Sequence, residues 1–92
     1  FQKAHYAADR ISKLEGYSVV SDSPFFHEFV VRCPRPVSEI NETLLDLGFL
    51  GGYDLEKDYP TLKDQMLVAV TEMVSSEEID AFSTALKEAG ND

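Results

Sequence analysis

Apolar positions along the chain fall into three helical stripes separated by shorter runs of alternating character. Over residues 2–15, Ala4, Ala7, Ala8, Ile11 and Leu14 recur at three- and four-residue spacing, while Lys3, Asp9, Arg10, Lys13 and Glu15 fall mostly elsewhere. That is the pattern of a helix with one buried face. Gly16 follows the last periodic residue and predicts the exit, because glycine enters the left-handed region without a Cβ penalty. Residues 17–21 and 25–33 are β-prone, and residues 21–24 between them carry the small polar groups and proline of a turn, so a hairpin is expected. On its second strand Phe25, His27, Phe29, Val31 and Cys33 share one face, whereas Glu28 and Arg32 share the other with Val30 between them. Such alternation suits a sheet covered on one side only.

Pro34 and Pro36 end that strand, since neither can donate to a ladder and each pushes its predecessor out of the helical region. A helix is predicted from about residues 36–38, with Val37, Ile40, Leu44 and Leu47 as its stripe and Gly48 as its stop, Phe49 closing a Schellman turn. Residues 49–55 should return to the sheet as a short strand, and Gly51 and Gly52 within it permit unusual backbone angles or close approach by another group. Residues 54–63 read as a polar loop. Residues 66–72 (MLVAVTE) are apolar on both faces at their centre and are expected inside the sheet. Ser75 with Glu78 forms a capping box, Val74 with Ile79 a hydrophobic staple, and Ile79, Phe82, Ala85, Leu86 and Ala89 the stripe of a last helix that Gly90 should end. The order helix, strand, strand, helix, short strand, strand, helix predicts an α+β fold: a small, mainly antiparallel sheet with helices packed on one face.

Composition narrows the class. A chain of 92 residues buries roughly 60–65% of its unfolded surface on folding, so residues 1–92 are expected to form a single small domain. The N-terminal FQKAHYAADR has neither a signal-peptide layout nor an initiator methionine, which points to a piece of a longer chain. No apolar run approaches the roughly 18 residues of a membrane span. Seventeen acidic residues against eight basic give a net charge of −9, a field that repels phosphate backbones, so neither membrane nor nucleic acid is an expected partner. The one cysteine, Cys33, offers no disulfide framework, which fits a reducing compartment, and the cytoplasm is the expected location.

Reactive constellations are sparse. His5, His27 and Cys33 lack the close spacing of metal ligands. His27 and Cys33 lie on one strand face but roughly 20 Å apart, too far for a Cys-His pair. Gly51 and Gly52 are followed by Tyr53 and Asp54 rather than the lysine and hydroxyl of a phosphate loop. Arg32 and Arg35 are expected to pair with Glu28, Glu39 or neighbouring acids, and none of Lys3, Lys13, Lys57, Lys63 and Lys87 sits in an apolar run suited to imine chemistry. Phe25 and Phe26 point to opposite strand faces, and the outward one, with Phe49, Leu50 and Tyr53, is a candidate apolar patch.

Taken in order, GY (16–17), PFFHEF (24–29), RPV (35–37), LGFLGGY (47–53), YP (59–60) and LVAVTE (67–72) resemble the C-terminal end of glycine dehydrogenase (decarboxylating) subunit 1, the glycine cleavage system P-protein. The resemblance covers about residues 10–90. It implies the small C-terminal domain of a fold type I pyridoxal-phosphate enzyme, here without catalytic, cofactor-binding or metal residues of its own. It also implies a full enzyme that decarboxylates glycine and passes the aminomethyl group to the lipoyl arm of the H-protein, with pyridoxal phosphate bound outside this stretch. The implied partners are the rest of the P-protein, its second subunit and, through the full enzyme, the H-protein. Phe25, Phe26, Gly51, Gly52 and Tyr53 are the candidate active-site wall or interface. The alternative reading is a free-standing ligand-binding regulatory module of ferredoxin-like or ACT type; that class begins with a strand and repeats strand-helix-strand.

Overall fold

The computed structural model describes residues 2–20, 28–71 and 73–91. Three helices, α1 (Gln2–Ser12), α2 (Val37–Asp46) and α3 (Ser76–Asn91), accompany four strands, β1 (Ser18–Val19), β2 (Glu28–Arg32), β3 (Tyr53–Asp54) and β4 (Gln65–Ala69). The strands form one antiparallel sheet in the order β1-β2-β4-β3. The expected α+β architecture is thus observed, and the run expected over 66–72 supplies an interior strand that spans Gln65–Ala69. The hairpin partners pair with Ser18 opposite Arg32 and Val19 opposite Val31; the predicted turn at 21–24 and the predicted strand start at 25–27 lie outside the described residues.

Register decides which side of the sheet is core. Phe29 faces Val68 and Val31 faces Met66 across the β2–β4 ladder, and all four are buried. They join Ala4, Ala7, Ala8 and Ile11 of α1, Val37, Ile40 and Leu44 of α2, and Ile79, Ala85, Leu86 and Ala89 of α3 in one cluster. All three helices therefore lie on the Phe29–Val31 face. Each large side chain fully buried there stabilises the fold by about 1.5–3 kcal/mol.

Caps hold the layers in place. Gly48 takes φ +92, its N–H reaches Leu45 O at 3.0 Å and the Phe49 N–H reaches Leu44 O at 2.8 Å, the paired bonds of a Schellman turn. At the start of α3 the Ser75 hydroxyl accepts from Glu78 N–H at 3.1 Å while the Glu78 carboxylate accepts from Ser75 N–H at 3.0 Å. Both bonds of the expected capping box are present. Arg35 donates to the Ala89 carbonyl near the end of α3 and to Glu39 at 2.8 Å.

The strands are shorter than expected, Ser18–Val19 within 17–21 and Tyr53–Asp54 within 49–55, and other boundaries change as well. α1 ends at Ser12, not residue 15, because Lys13 and Leu14 bond three residues back, to Arg10 O and Ile11 O, and tighten the last turn; Gly16, at φ +87, completes the turn toward β1. Gly90 does not stop α3, which continues to Asn91. It is small for a different reason: a Cβ there would lie 3.0 Å from the Tyr17 ring and 3.2 Å from Pro34. Leu47 leaves the α2 stripe, since as the C-cap it is 42% exposed. The loop expected over 54–63 opens with a strand residue, Asp54, and a 3₁₀ turn at Leu55–Lys57, whose first turn Asp54 caps through Glu56 N–H at 3.1 Å.

Candidate functional site

The segment from Phe49 to Tyr53 is positioned from both ends. Behind it, the Schellman turn of α2 delivers Phe49 to the core edge, where its ring meets that of Phe82 at 5.8 Å and 59°. Ahead of it, Tyr53 pairs with Leu67 in β4. Leu50 between them projects outward and is 86% exposed.

The two glycines are required by space and not by backbone angle, for neither has a positive φ. A Cβ on Gly51 would run into the Asn41 side chain and approach Leu44 Cδ1 at 3.0 Å; one on Gly52 would sit 2.7 Å from the Leu67 carbonyl oxygen and 3.0 Å from Met66 Sδ. Bare backbone thus lies directly on α2 and on β4. Asn41 fixes it: its Nδ2 donates to the Gly52 carbonyl at 2.9 Å. The other end of the same carboxamide, Oδ1, is buried without a hydrogen-bond partner among the described residues.

Asn41 was not singled out from the sequence. The available signal was its place four residues after Val37 and one after Ile40, where a carboxamide at the edge of an apolar stripe has to find a partner.

Tyr53 is half-exposed, and its hydroxyl donates to Asp58 Oδ2 at 2.8 Å. That bond, with some burial and the nearby charges of Asp58 and Asp54, raises the Tyr53 hydroxyl above its ordinary value, so it is a poor proton donor. Phe25 and Phe26, the other two candidates, lie outside the described residues. Among the described residues the candidates form one continuous segment, Gly51–Gly52–Tyr53, clamped by Asn41.

An apolar cleft of about 380 Å³ opens beside this segment, lined among others by Ile11, Phe49, Leu50, Val70, Val74 and Phe82. Its charged lining residue, Glu78, is engaged in the capping box. Ligand sites combine an apolar lining with a few polar groups free to orient the guest; this cleft supplies the first.

Nucleophiles and cations elsewhere are buried, paired or exposed. Cys33 is buried, and burial first, then the charges of Asp64 and Asp54, pushes its thiol up to about 12, the opposite of what a nucleophile needs. Tyr17 donates to the Leu86 carbonyl at 2.5 Å. Arg35 holds Glu39 as the sequence suggested, Lys13 pairs with Asp9, Lys3 donates to Val74 O, and Lys57, Lys63 and Lys87 are exposed. A lysine that forms an imine needs a desolvated setting, so the residues described here do not fit a pyridoxal-phosphate anchor. Among the described residues no group of three His, Cys, Asp or Glu side chains converges as a metal site, and no helix is long and apolar enough to cross a membrane.

No family model matches the chain. It is 49% identical over 90 residues, 98% of its length, to the probable glycine dehydrogenase (decarboxylating) subunit 1 of Anoxybacillus flavithermus. It is 54% identical over 85 residues to the same-named protein of Geobacillus kaustophilus, and 47% identical over 89 residues to that of Thermomicrobium roseum. The chain spans about a fifth of the length of these relatives, 19%, 19% and 20% respectively. Among solved structures it superposes, with a TM-score of 0.87 and 27% identity, on an inhibitor-bound glycine decarboxylase (P-protein) of the glycine cleavage system, covering 96% of this chain and 20% of that one.

Proposed function

We infer that this chain belongs to glycine dehydrogenase (decarboxylating) subunit 1 as its C-terminal domain, and that its role within that enzyme is structural and interfacial rather than catalytic. The carrying observation is the pairing of a near-complete match to one fifth of such subunits with described residues that offer neither a desolvated lysine nor an activated thiol: Cys33 is buried with its thiol pushed up, and Lys57, Lys63 and Lys87 are exposed. On this reading the full enzyme decarboxylates glycine in the cytoplasm and transfers the aminomethyl group to the lipoyl arm of the H-protein. Pyridoxal phosphate supplies the electron sink from outside this stretch. The partners are the remainder of the P-protein, including its second subunit.

Gly51, Gly52 and Tyr53 are the part of the domain most suited to meet the enzyme. Their backbone is fixed from behind by Asn41 while Tyr53 is half-exposed. A free-standing regulatory module of ferredoxin-like or ACT type receives no support from the element order, which opens and closes with helices among the described residues.

The test places Gly51→Val in the complete two-subunit enzyme and follows exchange of the glycine carboxyl with carbon dioxide beside thermal unfolding. Exchange is expected to fall well beyond the loss of stability; unchanged exchange removes the loop from the site. After incubation with pyridoxal phosphate and removal of the free cofactor, the isolated chain is expected to retain no cofactor absorbance, and retained absorbance would overturn the assignment of the cofactor to the rest of the enzyme.

A further inference from the structure

Two successive glycines are held by the two ends of one side chain. Asn41 Nδ2 donates to the Gly52 carbonyl at 2.9 Å. Its Oδ1 is buried without a hydrogen-bond partner among the described residues, yet it does not face empty space, because it lies where a Cβ on Gly51 would stand. The oxygen is therefore turned to the Gly51 Cα–H, a weak contact that takes the place of a hydrogen bond. Few side chains could do both. Leucine would fill the space without the bond, aspartate would set an acceptor against the Gly52 carbonyl, and glutamine would carry the carboxamide one methylene too far. What the carboxamide holds is not core. Leu50 before the glycines is 86% exposed and Tyr53 after them 49%. The helix α2 is seated by buried Val37, Ile40 and Leu44, and β4 by its ladder with β2, so neither needs Asn41 to keep its place. Burying a carboxamide costs free energy unless it is bonded, and here its bond sets the path of the chain between Leu50 and Tyr53.

We propose that Asn41 is a positioning residue for the reaction of the full enzyme: acting through Gly51 and Gly52, it fixes the direction in which Leu50 and Tyr53 leave this domain. The proposal rests on the reading of the chain as the C-terminal domain of a glycine dehydrogenase subunit in which residues 51–53 meet the rest of the enzyme. The chemistry of the segment decides which kinetic quantity it governs. The Gly52 carbonyl is bonded to Asn41 and the Tyr53 hydroxyl to Asp58, so the segment turns outward chiefly the Leu50 side chain and the Tyr53 ring. Such groups pack and exclude water; they do not grip a charged amino acid. Loss of Asn41 should then lower the rate at saturating glycine and leave the KM for glycine nearly unchanged, the pattern of a lost arrangement and not of lost substrate binding.

The experiment places Asn41→Ala and Asn41→Gln in the complete two-subunit enzyme and measures exchange of the glycine carboxyl with carbon dioxide. Ser75→Ala, which removes the cap of α3 at a comparable cost to the fold, is the control for stability alone. Amide hydrogen exchange at Gly52 and Tyr53 is followed in the same samples. Both Asn41 variants are expected to lose about tenfold or more in rate at saturating glycine, to keep the KM within about twofold, and to exchange the two amides faster. Ser75→Ala should stay within about twofold of the wild type in all three. Asn41→Gln keeps a polar side chain at the position and gives an assembled enzyme even where alanine does not. Wild-type rates in both Asn41 variants, an equal fall in Ser75→Ala, a raised KM with an unchanged saturating rate, or a fall without faster amide exchange each overturn the proposal. Gly51→Val separates the levels: unchanged exchange there defeats the reading of the segment itself, whereas a fall there with wild-type rates in the Asn41 variants defeats only the role of Asn41. Absence of exchange in the wild-type enzyme defeats the glycine dehydrogenase reading.

Discussion

The Asn41 side chain reaches across eleven positions of sequence to the Gly52 carbonyl, with Nδ2 and the oxygen 2.9 Å apart. One carboxamide on α2 thereby sets where the chain enters β3. Replacing Asn41 with alanine removes the bond and is expected to cost about 1 kcal/mol, read as a lower urea midpoint. Asn41→Asp should be worse at neutral pH, where a carboxylate would face the carbonyl. It should recover below about pH 4, where the protonated acid can donate again. Equal stability of the two variants at neutral pH would show that the bond does not hold the loop.

The glycines differ in what a side chain would strike. Gly52→Ala places its Cβ against the Leu67 carbonyl oxygen, 2.7 Å away in the unaltered backbone, and backbone on a central strand has little room to retreat. It is expected to cost about 2 kcal/mol or more and to loosen β3. Gly51→Ala meets the Asn41 side chain instead. The Gly51→Ala penalty should therefore shrink when Asn41 is also alanine, a coupling of at least about 0.5 kcal/mol in a double-mutant cycle, while Gly52→Ala should show no such relief.

What could be read in advance follows from which forces are local. The α2 exit needed only Gly48 beside the end of an apolar stripe, and the capping box only Ser75 and Glu78 three apart; both involve bonds within a few residues. The sheet face of Phe29 and Val31 followed from alternation. Gly90 was misread because the same residue type serves a helix stop and a close contact, and the contact, with Tyr17 and Pro34, comes from distant parts of the chain. Asp64, a non-glycine residue at φ 63, went unnoticed for the same reason: its carbonyl receives the Cys33 N–H at 2.7 Å, a long-range bond with no local signature. At the candidate site the glycines were visible, but Asn41 became legible only through what it touches.

The capping box gives α3 a pH dependence. Hydrogen bonds from Ser75, first its backbone N–H, hold the Glu78 carboxyl below its ordinary value, with Lys3 adding to the effect. A depressed folded-state value means that the contribution is present above the unfolded value near 4.5 and is lost as pH falls through the folded one. Glu78→Gln should flatten this acid limb of the stability profile. Ser75→Ala keeps the backbone N–H and loses only the hydroxyl, so it should flatten the limb only in part and cost about 1 kcal/mol at neutral pH, measured by denaturation at several pH values.

On the alkaline side the controlling group is Cys33. Burial is the main cause that lifts its thiol from the ordinary 9.0 to about 12, with Asp64 and Asp54 opposing a second negative charge nearby. The unfolded chain releases this proton first, so stability is fully present below about pH 9 and is lost progressively as pH rises toward 12. Tyr17 acts in the same direction from its ordinary 10.0 upward, because its buried hydroxyl is also held protonated. The two are separable. Cys33→Ala should delay the alkaline loss, leaving stability level between about pH 8 and pH 10, because the raised groups that remain, Tyr17, Tyr53 and Tyr6, begin to ionise in the unfolded chain only near 10. Tyr17→Phe should leave the fall that begins near 9 and remove part of the steeper fall above 10, while lowering stability at neutral pH by about 1 kcal/mol for the lost bond to Leu86. Urea midpoints of the three chains across that range provide the measurement; an unchanged alkaline limb in Cys33→Ala would mean that the thiol is not shielded in the folded state.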